Sequence, residues 1–85
     1  MFEIYLERSA EKRLRNLSGN ILRRIIPHIK SLKDDPKPAG CRKIVGAERV
    51  YRIRIGDYRV VYEIDEERHR INLMAVGHRK DVYRR

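Results

Sequence analysis

The sequence contains a single cysteine, Cys41, so no disulfide can form within the chain, which fits a reducing compartment. No His or Asp stands beside Cys41 in a local motif, so the thiol is not read as a nucleophile. No apolar run is long enough for a signal peptide or a membrane span, and a cytoplasmic location is expected. Gln is absent, and so is any His or Asp cluster at ligand spacing, so neither a metal nor another cofactor is expected. There is also no repeat, low-complexity segment or linker. The 85 residues are therefore expected to form one domain, 1–85, with a modest core.

What is present in excess is positive charge. Lys and Arg number 21 against 12 Asp and Glu, for a net charge of +9. The excess is spread evenly: residues 1–40 carry 9 basic and 5 acidic groups, and residues 41–85 carry 12 and 7. No basic tail hangs from a neutral domain, so the charge belongs to the fold. A highly charged surface of the thermophile kind would balance its signs, and this one does not. The balance implies a polyanionic partner such as nucleic acid or an acidic protein. Of the 21 cations 15 are Arg, whose planar fork grips phosphate at two points.

Periodicity gives the element order. Phe2, Ile4 and Leu6 alternate with polar residues as in a half-buried strand. Ser9 is a candidate cap for a helix bearing Ala10, Leu14 and Leu17 on one stripe. Gly19 and Asn20 read as the elbow to a second helix. That helix carries Ile21, Leu22, Ile25, Ile26, Ile29 and Leu32 on one face and Arg23, Arg24, His28, Lys30 and Lys33 on the other. Pro27 predicts a kink or break within it. Asp34 to Gly40 is a loop, and a short strand is expected around Arg42 to Val45, with Arg42 and Lys43 solvated. The last strand is expected over Ile71 to Val76, with Ile71, Leu73 and Ala75 alternating against Asn72, Met74 and Val76. After it comes a short basic tail from Gly77. The fold class that follows is α+β: an N-terminal strand, a helical hairpin, then a four-stranded antiparallel meander, with the helices on one sheet face.

The stretch Y-R-I-R-I-G-D-Y-R-V-V-Y at Tyr51 to Tyr62 carries the most information. Gly56-Asp57 is a two-residue turn between alternating strands. With Ile55 and Tyr58 flanking it, Ile53 faces Val60 and Tyr51 faces Tyr62 on one side. Arg52, Arg54 and Arg59 share the other side, with Arg54 opposite Arg59. Like charges placed opposite each other destabilise a hairpin, so an anion is expected there. The tyrosines share a face with Ile53 and are read as core.

These residues together resemble the RelE/ParE superfamily of type II toxin–antitoxin toxins. The likeness lies in the ordered set: a helical hairpin ending D-D-P-K-P, then K-I-V-G, the Y-R-I-R-I-G-D-Y-R-V-V-Y-E-I hairpin and the ending V-G-H-R-K-D-V-Y. The resemblance implies a RelE-like fold and a ribosome-dependent mRNA endonuclease (mRNA interferase) that inhibits translation. By resemblance its catalytic positions fall on Arg52, Arg54, Arg59, Arg79 and Tyr83. In well-known RelE-type enzymes the first two are commonly lysine. Here both are arginine, which stays protonated at working pH and cannot act as a general base.

Cleavage of this kind uses the RNA's own 2′-hydroxyl and needs no metal. It requires a base, cations at the phosphate and an acid for the leaving oxygen. Tyr83 is the candidate base, with arginines favouring the phenolate. His78, paired with Glu48, is the alternative acid–base group. The resemblance leaves two other functions open: a ParE-like DNA gyrase inhibitor, and a catalytically inactive relative that binds nucleic acid or antitoxin. It also implies a cognate acidic antitoxin, with ribosome and mRNA as the other partners. Operator DNA would be reached only through the antitoxin, and no membrane is involved.

Overall fold

In the computed structural model of the chain, residues 1–78 are described. Two helices pack on one face of a five-stranded sheet. The elements are β1 (Glu3–Leu6), α1 (Arg8–Arg15), α2 (Gly19–Ser31), β2 (Arg42–Lys43), β3 (Val50–Ile55), β4 (Tyr58–Asp65) and β5 (Arg70–His78). The spatial order is β1-β5-β4-β3-β2. The last four strands form the antiparallel meander, and β1 adds to the β5 edge in parallel, Ile4 opposite Ile71. Among the described residues no helix is long and apolar enough to cross a membrane.

Both helices bury the stripes that their spacing dictates. Ala10 and Leu14 of α1, and Ile25 and Ile29 of α2 with Leu32, meet Ile53, Val60, Tyr62, Ile64, Ile71 and Leu73 from the sheet. Burial of each large aliphatic contributes about 1.5–3 kcal/mol, so this shared layer is what holds the helices to the sheet. Leu17, Ile21, Leu22, Ile26, Tyr51 and Tyr58 pack around it, half-buried.

Four local expectations change. Ser9 does not cap α1; Glu7 takes the N-cap position, and Ser9 Oγ donates instead to the Met74 carbonyl at 3.0 Å. The elbow lies earlier than expected: Asn16 ends α1, and Ser18 caps α2 by accepting from the Ile21 amide at 3.5 Å. Of the kink or break expected at Pro27, the break does not occur: α2 continues to Ser31. Proline removes one backbone donor, and the burial of Ile25, Ile29 and Leu32 on either side offsets that loss.

The fourth change concerns β5, which runs to His78 and is bulged. Val61 pairs with Ala75, but Tyr62 pairs with Leu73, so Met74 has no partner across the ladder. One extra residue reverses the in–out alternation beyond it. Ile71, Leu73 and then Val76 face the helices, while Ala75 and Gly77 fall on the opposite face across from Val61 and Arg59. A strict alternation puts Ala75 inward, and the bulge puts Val76 there instead, 2% exposed.

Candidate phosphate-binding cleft

The hairpin folds in the register that its turn fixes. Ile55 pairs with Tyr58, Arg54 with Arg59, Ile53 with Val60 and Tyr51 with Tyr62. Gly56 has φ +61 and Asp57 is not in the positive-φ region, the pattern of a type II′ turn with glycine at its first central position. Val60 and Tyr62 are fully buried and Ile53 is nearly so. Arg52, Arg54 and Arg59 are thereby directed to the other face.

A fourth arginine joins them. Because β2 pairs Arg42 with Arg52, these two lie on one face, and Lys43, opposite Tyr51, falls on the other. The four arginines form a diagonal track: Arg42 on β2, Arg52 and Arg54 on β3, and Arg59 on β4. β2 is only two residues long, so β3 continues past it toward the turn.

A cleft of about 670 Å³ opens there, lined by all four arginines, by Ile53, by His28 and Ser31 of α2, and by the Pro38–Gly40 turn. No acidic side chain is among its described lining residues. Arg42 and Arg54 have no carboxylate within ion-pair distance among the described residues. The Nε of Arg59 is buried, and Arg59 faces Gly77 across the β4–β5 ladder.

The described acids that β4 places on the open face, Glu63 and Asp65, lie at the far end of the ribbon and are already engaged. Glu63 takes Arg49 at 3.4 Å and the Asn72 amide at 2.9 Å, and Asp65 pairs with Arg68 at 3.8 Å. At several ångströms of separation in a partly desolvated cleft, like charges repel by more than they would in bulk water. An anion relieves that repulsion, and guanidinium forks fit phosphate in particular.

The wall of the cleft is fastened from below. Tyr62 is 0% exposed, and its hydroxyl donates to the Pro36 carbonyl at 2.6 Å. Burial, with the Cys41 thiol adjoining, pushes the Tyr62 phenol well above its ordinary range. The Cys41 amide donates to the Pro38 carbonyl at 3.0 Å, and the Lys37 ammonium lies 5.3 Å from the Tyr51 ring centre. These contacts tie the loop from Pro36 to Cys41 to the sheet and so position the Pro38–Gly40 turn.

The remaining sequence candidates fall elsewhere. His78 pairs with Tyr58, their rings edge to face at 5.7 Å, on the helix side rather than the arginine side. Glu48 lies in the turn before β3, at the end of the ribbon away from Gly56, whereas His78 lies beside the Gly56 end. A strand of six residues separates those ends, roughly 20 Å at about 3.3 Å per residue, so Glu48 and His78 do not meet. Arg79 and Tyr83 lie outside the described residues. Arg42, His28 and Ser31 are cleft residues that the sequence did not single out. For Arg42 the missing signal was register, since nothing between positions 42 and 52 reads as a tight turn.

Comparison with known proteins agrees with this architecture. The sequence model of the family described as the ParE toxin of type II toxin–antitoxin systems, parDE, matches residues 4–83. A Methanocaldococcus jannaschii protein provisionally named toxin RelE1 is 27% identical over 86 residues, covering 98% of this chain and 96% of that protein. The isolated Escherichia coli RelE toxin superposes with a TM-score of 0.83 at 22% identity, over 98% of this chain and 92% of its own, a likeness of fold. The archaeal RelE–RelB complex from Pyrococcus horikoshii gives a TM-score of 0.81 at 25% identity, over 94% and 97%.

Proposed function

The chain belongs to the ParE toxin family of type II toxin–antitoxin systems, and from that premise we propose that it is a ribosome-dependent mRNA endonuclease whose arginine cleft holds the scissile linkage. The observation that carries this reading is the convergence of Arg52, Arg54 and Arg59 on one cleft without an acidic residue among its described lining.

In the proposed reaction the RNA 2′-oxygen attacks the adjacent phosphorus. A new P–O2′ bond forms, the P–O5′ bond breaks, and the products end in a 2′,3′-cyclic phosphate and a 5′-hydroxyl. Arg59, with Arg54 opposite it and Arg79 from the C-terminal segment, stabilises the added charge on phosphorus. Such stabilisation is often the largest single contribution to catalysis. Arg52 holds a flanking phosphate. Tyr83 takes the 2′ proton, and the leaving 5′ oxygen takes its proton from solvent water. His78 is less suited to that step, because its ring packs against Tyr58 on the helix side. The ribosome supplies the positioning of the mRNA, which is the entropic part of catalysis.

The partner proposed for the toxin is an acidic, partly disordered antitoxin that folds onto it and offsets the arginine charge. Support comes from relatives crystallised with RelB antitoxins. A second reading, inhibition of DNA gyrase, is favoured by one observation, that the matching family is described by ParE. Primer extension on mRNA with purified ribosomes, run beside a gyrase supercoiling assay, separates the two. Cleaved message with normal supercoiling is expected. Intact message with blocked supercoiling overturns the nuclease reading.

A further inference from the structure

We propose that Arg42 is an RNA-binding residue that, with Arg52, forms a second phosphate seat adjoining the seat at Arg54 and Arg59. This rests on the nuclease reading above and extends it by a residue and a subsite.

The register sets the geometry. Arg42 faces Arg52 across β2 and β3, and Arg54 faces Arg59 across β3 and β4. Each cross-strand pair places its Cβ atoms about 5 Å apart, close enough for two guanidinium groups to share one phosphate. Arg52 and Arg54 are two residues apart on β3, and Arg42 and Arg59 flank β3 on opposite sides, so the centres of the two pairs are offset diagonally by roughly 8 Å, one pleat repeat along the strand and one interstrand spacing across it. The long arginine side chains span the small difference between that offset and the step between successive phosphates of an extended RNA strand, so the two pairs suit two consecutive phosphates.

Arg42 itself has no carboxylate partner among the described residues, so its charge is available to an anion in the cleft. The cleft is large enough for a nucleotide with a phosphate on each side, at about 670 Å³, and His28, Ser31 and the Pro38–Gly40 turn close its α2 side. Lys43 supplies an internal control. It is adjacent in sequence, exposed and cationic, but its partner is Tyr51, so it faces away from the track.

The test compares the parent protein with Arg42→Gln, Arg42→Lys and Lys43→Gln. Each binds a labelled single-stranded RNA oligonucleotide across a salt series, and each cleaves mRNA on purified ribosomes. Arg42→Gln is expected to raise Kd about tenfold and to lower the slope of log K against log salt by roughly 0.7, the value of one lost phosphate contact on a single strand. On ribosomes KM should rise by a similar factor with kcat near that of the parent, the mark of a binding residue. Arg42→Lys should keep the slope but recover only part of the affinity, since the fork is lost. Lys43→Gln should leave both close to the parent. Equal effects from Arg42→Gln and Lys43→Gln, an unchanged slope in Arg42→Gln, or no oligonucleotide binding by the parent at low salt overturns the second seat. If the parent leaves ribosome-bound mRNA intact while Arg42→Gln still lowers the slope, the nuclease reading fails and the seat stands. If the parent cleaves and Arg42→Gln binds and cleaves equally well, the seat alone fails.

Discussion

Replacing Tyr62 by Phe isolates one hydroxyl beneath the cleft. The ring is fully buried and can stay in place, while the 2.6 Å bond to the Pro36 carbonyl is lost. Leaving the partly buried Pro36 acceptor without its donor costs about 1–2 kcal/mol. In a domain of this size that corresponds to a fall in Tm of roughly 5–15 °C. The pH dependence sharpens the prediction. The folded-state pKa of Tyr62 is raised above the unfolded value, with burial as the main cause. The native state then holds its proton after the unfolded chain has released it. The contribution of Tyr62 is thus fully present below about pH 10 and is lost as pH climbs toward the folded value, at about 1.4 kcal/mol per pH unit.

The Phe variant has no such group. It should be the less stable protein at pH 7 and should draw level with the parent at roughly pH 11, about one unit above the ordinary tyrosine value. Lysines and the other tyrosines titrate in both proteins and cancel in the difference. Urea titrations of both proteins at pH 7, 9, 10 and 11 measure it. A stability difference that stays constant from pH 7 to pH 11 would refute the buried, hydrogen-bonded role of Tyr62.

Three further outcomes are expected. Gly56→Ala should destabilise by about 1–2 kcal/mol in urea, because φ is +61, a conformation that a Cβ strains, while the Arg24 guanidinium beside it can swing clear; a change below about 0.5 kcal/mol would show that the turn relaxes freely. Ser18→Ala should cost about 0.5–1 kcal/mol by the same measurement, at the low end for an N-cap because the contact is 3.5 Å long, and a neutral variant would remove Ser18 as the cap. A 2′-deoxynucleotide at the cleavage position of the mRNA should stop cutting there while the message still binds, as followed by primer extension; undiminished cutting would rule out the 2′-oxygen as nucleophile.

The parts of the molecule that could be read from sequence were those set by local rules. The Gly56-Asp57 turn fixes its own register, so the sorting of Ile53, Val60 and Tyr62 from Arg52, Arg54 and Arg59 followed from the turn alone. The stripe of Ile25, Ile29 and Leu32 marked the buried face of α2 in the same way. What was not legible depended on distant partners. The Met74 bulge inverts the end of β5, and Ser9 turns from capping its own helix to bonding the Met74 carbonyl, 65 residues away. Arg42 reads as a solvated strand start because its place beside Arg52 requires the β2–β3 register, which no turn chemistry announces. His28 reads as outer-face charge, since only the packing of α2 beside β3 brings it to the cleft. Glu48 and His78 seemed compatible by residue type, and the length of β3 keeps them apart.

The most direct test of the arginine cleft is single-turnover cleavage of mRNA bound to purified ribosomes, comparing the parent with Arg54→Ala and Arg59→Gln. Arg54 is exposed and has no ion-pair partner among the described residues, so its loss should not lower the melting temperature, and relief of the repulsion from Arg59 should raise it slightly. With the mRNA still bound, each variant should cut at least about 10²-fold more slowly, the scale seen when one preorganised charge is removed from a reacting centre. Cleavage by either variant at the parent rate would contradict the assignment of the cleft to the scissile phosphate.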